Sequence, residues 1–286
     1  MSETRVFNKS ADMIDDDAPD FLTIPDPAGG PALRIARRLT PATRSDAGPG
    51  LVWLGGFASD MTGTKAQFLA EKAQAQGRAC LRFDYSGHGA SEGRFIDGCI
   101  GDWLDQSIAV FEASTQGPQI LIGSSMGGWL ALLLARHLAA AGASARLAGL
   151  VLLAPAVDFT EELIWPELDA AARAELGSKG VWARPSDYAP EPTPITRRLI
   201  EDGRRHLLFG GMIRTHVPVH ILQGMADPDV PWRHALRLVE HMSADPVTLS
   251  FIADGDHRLS RPQDLAQLAA AVDLVANSST GQGRLA

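Results

Sequence analysis

QILIGSSMGGWLALLLARHLAAA, residues 119–141, decides the fold. Its first six residues are an apolar run of strand length, and from Met126 to Ala141 the pattern is a long Ala/Leu helix. Between them Gly123-Ser124-Ser125-Met126-Gly127 matches G-x-S-x-G. Placed between strand and helix, that pentapeptide forces its central serine into a strained turn and lifts the hydroxyl above the sheet edge. Glycines flank the turn because a Cβ at either place would strike the neighbouring strand or helix. Ser125 is the expected nucleophile; Ser124 occupies the variable position and is read as packing beside it.

Working outward, the same alternation of apolar run and amphipathic stretch recurs. LVWLGGF (51–57), a helix near 62–76, ACLRFD (79–84) and a helix near 101–115 precede the elbow. LAGLVLLAPA (147–156), VPVHILQG (217–224) and VTLSFIAD (247–254) follow it. Strands apolar on both faces and alternating with helices predict an α/β fold, with a mostly parallel central sheet covered on both sides. FLTIP and ALRIARRL, joined by a Pro/Gly turn, add two short strands at its start. Between Val157 and about Thr215 the rhythm breaks: PEPTP interrupts it, and Ile164, Trp165, Trp182 and Phe209 are scattered among charges. The expected organisation is a flexible acidic leader (1–19), a core (20–156 and 216–276), a mostly helical lid inserted at 157–215, and a frayed Ser/Gly-rich tail (277–286).

A serine hydroxyl needs an imidazole to take its proton and a carboxylate to hold that imidazole in the right tautomer. In folds with this elbow the order is Ser, then Asp or Glu, then His. Of the eight histidines all but His88 follow Ser125, so order alone does not choose the base. The acid belongs in the loop after VHILQG, where Asp227 is the candidate and Asp229 its rival as a turn residue. His257 in DGDHR follows the last strand and is the expected base. His216, His220 and His234 are read as surface or packing residues.

Acyl transfer also needs two N–H donors for the developing oxyanion. The Met126 amide and one from the loop after LVWL, Phe57 or failing that Gly56, are the candidates. His88, in a loop at the carboxyl end of a strand where open sheets bind ligands, is a candidate substrate contact set against loop packing. The other residues of DYSGHGAS are read as shaping the loop beneath the oxyanion site. Trp129, with Ile164, Trp165, Trp182 and Phe209, is a candidate lining for an acyl pocket set against ordinary core.

A formal charge of −8 with no clustered Lys/Arg argues against nucleic acid. No apolar run approaches the roughly 20 residues that cross a bilayer. Only Cys80 and Cys99 are present, without metal-ligand spacing, so neither a disulfide framework nor a zinc site is expected. The leader is polar and acidic, unlike a signal or transit peptide, and a cytoplasmic location is expected. The chemistry read from these residues calls for no metal and no organic cofactor.

From about Asp20 to Ala276 the chain resembles the α/β-hydrolase superfamily. More narrowly, it resembles the alpha/beta-hydrolase-domain-containing protein 10 group through SDMTGTKA (59–66), RFDYSGHGAS (82–91), PQILIGSSMGGW (118–129), KGVWARPSDY (179–188), QGMADPDVPW (223–232) and DHR (256–258). That resemblance implies a serine esterase or thioesterase acting on small-molecule esters or acyl-protein thioesters, with nucleophile, acid and base at Ser125, Asp227 and His257. The group's animal member is a mitochondrial acyl-protein thioesterase that also cleaves acyl glucuronides. Departures lie in the lid, at 160–178 and 189–212, and in the acidic leader. A general carboxylesterase, a serine peptidase and a non-catalytic binding protein on the same fold are the rival readings.

Overall fold

A computed structural model describes residues 18–25, 30–185 and 192–282, with side chains to 278. Apart from its last two residues the acidic leader lies outside the described residues, as do 186–188 of KGVWARPSDY and the first two residues of PEPTP. In chain order the elements are β1 (Asp20–Ile24), β2 (Leu33–Thr40), β3 (Gly50–Leu54), α1 (Thr64–Ala75), β4 (Cys80–Phe83), α2 (Ile100–Ser114), β5 (Gln119–Ser124), α3 (Met126–Ala140) and β6 (Leu147–Leu153). There follow α4 (Ala170–Lys179), β7 (Val181–Arg184), β8 (Thr193–Thr196), α5 (Arg197–Gly203), β9 (Val219–Gly224), α6 (Trp232–His241), β10 (Val247–Ile252) and α7 (Pro262–Gln282).

Eight strands form one sheet in the order β1-β2-β4-β3-β5-β6-β9-β10. The β1–β2 and β2–β4 pairings are antiparallel and all the others parallel. Side chains alternate along each central strand, so every one of them feeds two cores. Val52, Leu54, Leu121, Leu150, Leu152 and Ile221 pack under α2, α3 and α6. Leu51, Trp53, Ile120, Ile122, Val151 and Leu222 pack under α1 and α7. Each such side chain taken fully out of water stabilises the fold by about 1.5–3 kcal/mol, and this two-faced burial, not turn chemistry, fixes the register.

The register also levels the strand ends. Leu54 stands opposite Gly123, Ser124 opposite Leu153, and Gly224 opposite Ile252. The loops that follow these strands therefore open on one edge of the sheet, and they carry Gly56 and Phe57, Ser125, Asp227 and His257.

From Ala154 to Pro218 the chain leaves the sheet. The stretch read as a mostly helical lid holds a π-helical turn (Thr160–Ile164), α4 and α5, but also an antiparallel β7–β8 ladder that the prolines of PEPTP concealed. Asp158 ties it down: its buried carboxylate accepts from the amides of Leu208 (2.9 Å) and Phe209 (2.8 Å), fifty residues on. Arg204–Glu161 (2.7 Å) and Arg237–Glu162 (2.5 Å) add ion pairs near the surface. At the other end of the chain α7 runs on to Gln282, past Asn277 where the Ser/Gly composition suggests a frayed tail. Among the described residues no helix is long and apolar enough to cross a membrane.

Candidate active site

The elbow has the geometry its sequence requires. Ser125, between β5 and α3, sits at φ 54° and ψ −119°, a conformation that costs a non-glycine residue about 1–3 kcal/mol. Backbone bonds hold it there: its amide donates to Leu153 (2.9 Å), and its carbonyl accepts from Gly128 and Ala156. A Cβ at Gly127 would lie 2.0 Å from the Leu54 carbonyl oxygen, and one at Gly123 would lie 2.3 Å from that of Gly127. β5, α3 and β3 approach so closely that neither position accepts a side chain. Ser124, buried at the strand end, packs as read.

Ser125 Oγ lies 3.1 Å from Nε2 of His257, and Nδ1 of the same ring lies 2.8 Å from Asp227 Oδ2. A carboxylate only accepts, so Nδ1 carries the ring proton and Nε2 is left as the acceptor facing the hydroxyl. The second Asp227 oxygen accepts from the amides of Asp229 and Val230, both at 2.9 Å, which orients the buried carboxylate. This separates the two rivals in that loop: Asp227 meets the imidazole, and Asp229 supplies a backbone donor to it. Among the described residues the grouping suited in principle to a metal ion, Asp227, Asp229 and His257, is built on this same carboxylate and imidazole.

The Met126 amide opens α3 directly after the serine, where the helix dipole favours negative charge. Gly56 backs onto the elbow, the position of its missing Cβ being 3.4 Å from Ser125 Cβ, and Phe57 follows. Among the described residues neither the Met126 nor the Phe57 amide has a hydrogen-bond acceptor. A site of this form can deprotonate a hydroxyl, present it to an acyl carbon and receive the resulting oxyanion on main-chain donors.

Two candidate substrate contacts, His88 and Trp129, lie buried with their polar atoms engaged. His88 is only 3% exposed. Its Nδ1 donates to the Ser86 carbonyl (3.1 Å) and its Nε2 accepts from the Ala58 amide (3.3 Å), so both nitrogens are engaged. Burial lowers its pKa, which keeps the ring neutral and the acceptor available. His88 is a brace for the Gly55–Ala58 loop. Asp84 braces the same region, accepting from Met61 (2.6 Å) and Ala90 (2.9 Å), so DYSGHGAS shapes the loop as read.

Trp129 is wholly buried, donating from Nε1 to the His206 carbonyl (3.2 Å) and packing edge-on against Phe159. Ile164 and Phe209 are likewise core, while Trp165 lies under the guanidinium groups of Arg173 and Arg204. An aromatic cluster gathers instead at the loop after β3, where half-buried Phe57 has Phe95 at 4.8 Å and buried Phe159 at 5.6 Å between ring centroids. Phe95 carried no sequence signal, because a lone aromatic in a polar loop has no periodicity to place it. Of the other histidines considered, His234 bonds the Val157 carbonyl (2.9 Å), His220 bonds Ser250 (2.9 Å) and His216 is exposed.

The mostly parallel sheet and the strand-end elbow define the α/β-hydrolase class. The family model described as serine aminopeptidase, S33, matches residues 51–198. The human palmitoyl-protein thioesterase ABHD10, mitochondrial, is 33% identical over 226 residues, 79% of this chain and 72% of that protein. A putative hydrolase from Agrobacterium vitis S4 superposes with a TM-score of 0.85 at 48% identity, over 90% of this chain and 98% of its own. Mouse alpha/beta hydrolase domain-containing protein 10 superposes with a TM-score of 0.78 at 29% identity, over 91% and 98%. The chain belongs to the S33 serine aminopeptidase family of α/β-hydrolases, close to ABHD10, and is a hydrolase.

Proposed function

We propose that this protein is a serine hydrolase that cleaves carboxylic esters or thioesters of apolar acyl groups through an acyl-enzyme. The observation that carries the reading is the unbroken hydrogen-bonded line from Asp227 through His257 to Ser125, at 2.8 and 3.1 Å. In the first half-reaction His257 Nε2 takes the Ser125 proton as Oγ bonds to the carbonyl carbon. The former carbonyl oxygen becomes an oxyanion facing the amides of Met126 and Phe57. Its collapse breaks the bond to the leaving alcohol or thiol, which His257 protonates. Water then enters by the same route and releases the carboxylic acid. Asp227 holds the ring tautomer and offsets the charge His257 gains.

Two features favour an apolar acyl group: the Phe57, Phe95 and Phe159 cluster at the loop that carries the candidate oxyanion donor, and the name of the human relative, a palmitoyl-protein thioesterase. The family model's own description, serine aminopeptidase, keeps a peptidase reading in view. A general carboxylesterase would share every catalytic group.

A fluorophosphonate probe is expected to add its mass to wild type at Ser125 and not to Ser125→Ala. Absence of labelling would reject the mechanism and revive a binding role. Turnover of matched acyl thioesters, oxygen esters and peptides then separates the substrate readings. In a p-nitrophenyl ester series octanoate is expected to outpace acetate, and equal rates would reject the apolar preference.

A further inference from the structure

The loop that carries His257 is held from outside by a residue to which the mechanism gives no role. Lys65 is the second residue of α1, and its ammonium donates to the carbonyl of Arg258, the residue after His257. Helix stability does not explain a lysine there: the positive end of the helix dipole opposes a cation in the first turn, and no acidic side chain shares that turn. The loop needs holding. Leu259 sits at φ 45°, in the region that non-glycine residues adopt at a cost, and its amide is secured by Asp256 Oδ1 (3.0 Å). Asp256 fixes one side of the loop and Lys65 the other.

We propose that Lys65 is a positioning residue for the base, keeping His257 Nε2 on Ser125 by holding the Arg258 carbonyl. This rests on the serine-hydrolase reading above. The charges acting on Lys65 are Asp256 and Arg258 from the His257 loop, Asp264 from α7 and Asp227 from the loop after β9. Arg261, beside Asp264, is itself held by Asp254 and Asp264. Burial outweighs the attraction of the carboxylates and brings the ammonium down to about 8. Above that pH a neutral amine, a weaker donor, replaces the charged one.

The test compares wild type, Lys65→Arg and Lys65→Met with p-nitrophenyl octanoate, from below neutrality to well above pH 8, beside fluorophosphonate labelling and thermal melting. Lys65→Met is expected to lower kcat about ten- to hundredfold with KM little changed, as a small displacement of a catalytic group does. Wild-type kcat is expected to fall as pH rises through about 8. In Lys65→Arg, whose guanidinium stays charged, that fall is expected to be absent. The proposal is overturned if Lys65→Met matches wild type in kcat, or if Lys65→Arg shows the same fall. Should Lys65→Met not fold, the wild-type and arginine profiles decide alone. Failure of the probe to label wild type removes the serine mechanism and this proposal together. Labelled wild type with an unaffected methionine variant removes this proposal alone.

Discussion

The sheet and the insertion above it are stabilised by different means. In the sheet, strands bury both faces between two apolar cores, and the functional side chains stand on short loops whose ends are fixed by strand register. In the insertion, a buried carboxylate, a short ladder and ion pairs near the surface do the holding. The first arrangement is rigid enough to keep a strained serine in place. The second is built from local polar contacts at its own base and surface, so its stability is separable from that of the serine's turn.

The sharpest break of that comparison is Ser125→Ala. It is expected to lower kcat for an ester substrate on the order of a million-fold, with a melting temperature near that of wild type. Asp227→Asn, which disturbs the tautomer, is expected to cost about 10⁴-fold. Loss of folding in either variant, seen by circular dichroism, would mean that the site and the sheet are not separable.

Asp158→Ala tests the insertion. It leaves the Leu208 and Phe209 amides buried without their acceptor, and a loss of about 2–6 kcal/mol is expected in urea unfolding, at about 1–3 kcal/mol for each orphaned group. Acetyl-ester turnover is expected to survive at temperatures where the variant remains folded, while octanoyl-ester turnover drops. Equal losses on both esters would make the insertion part of the catalytic unit.

pH probes both regions, since His88 and His220 serve the sheet and His234 faces the Val157 carbonyl at the base of the insertion. Burial holds all three pKa values below the ordinary histidine value. The unfolded chain therefore takes up protons on these rings before the folded one does. Stability is expected to fall as pH drops below about 6.5 and to level off once pH passes the lowered folded values, by up to about 1.4 kcal/mol per pH unit for each ring. Urea midpoints against pH check this, and His234→Gln is expected to flatten the slope by one ring's share. The smallest effect is expected from Arg237→Met. Its pair with Glu162 is 40% and 31% exposed, so about 0.5 kcal/mol is at stake.

The parts of the molecule legible in sequence are those where one physical constraint acts alone. QILIGS coincides with β5, and the other central strands and helices lie within three residues of their sequence limits, because double-sided burial leaves unbroken apolar runs. The elbow was readable because a strand-to-helix turn tolerates few residues. What escaped depends on three-dimensional neighbours. Nothing in GHG shows that His88 reaches Ala58 rather than a substrate. Trp129 and Phe209 have the composition of a pocket wall, yet they pack into core. The β7–β8 ladder is short, half-buried and bordered by prolines. α7 continues through Ser278, whose hydroxyl bonds the Leu274 carbonyl (2.9 Å) one turn back rather than capping the helix.

The bond from Trp129 Nε1 to the His206 carbonyl joins the helix behind the nucleophile to the insertion. An outward swing of that segment would have to give up the bond and admit solvent to an indole that is otherwise fully enclosed. Tryptophan emission, compared between wild type and Trp129→Phe, would then shift to longer wavelength with each opening. Trp129 is thereby placed as an intrinsic optical gauge of that segment's position, readable without an attached dye.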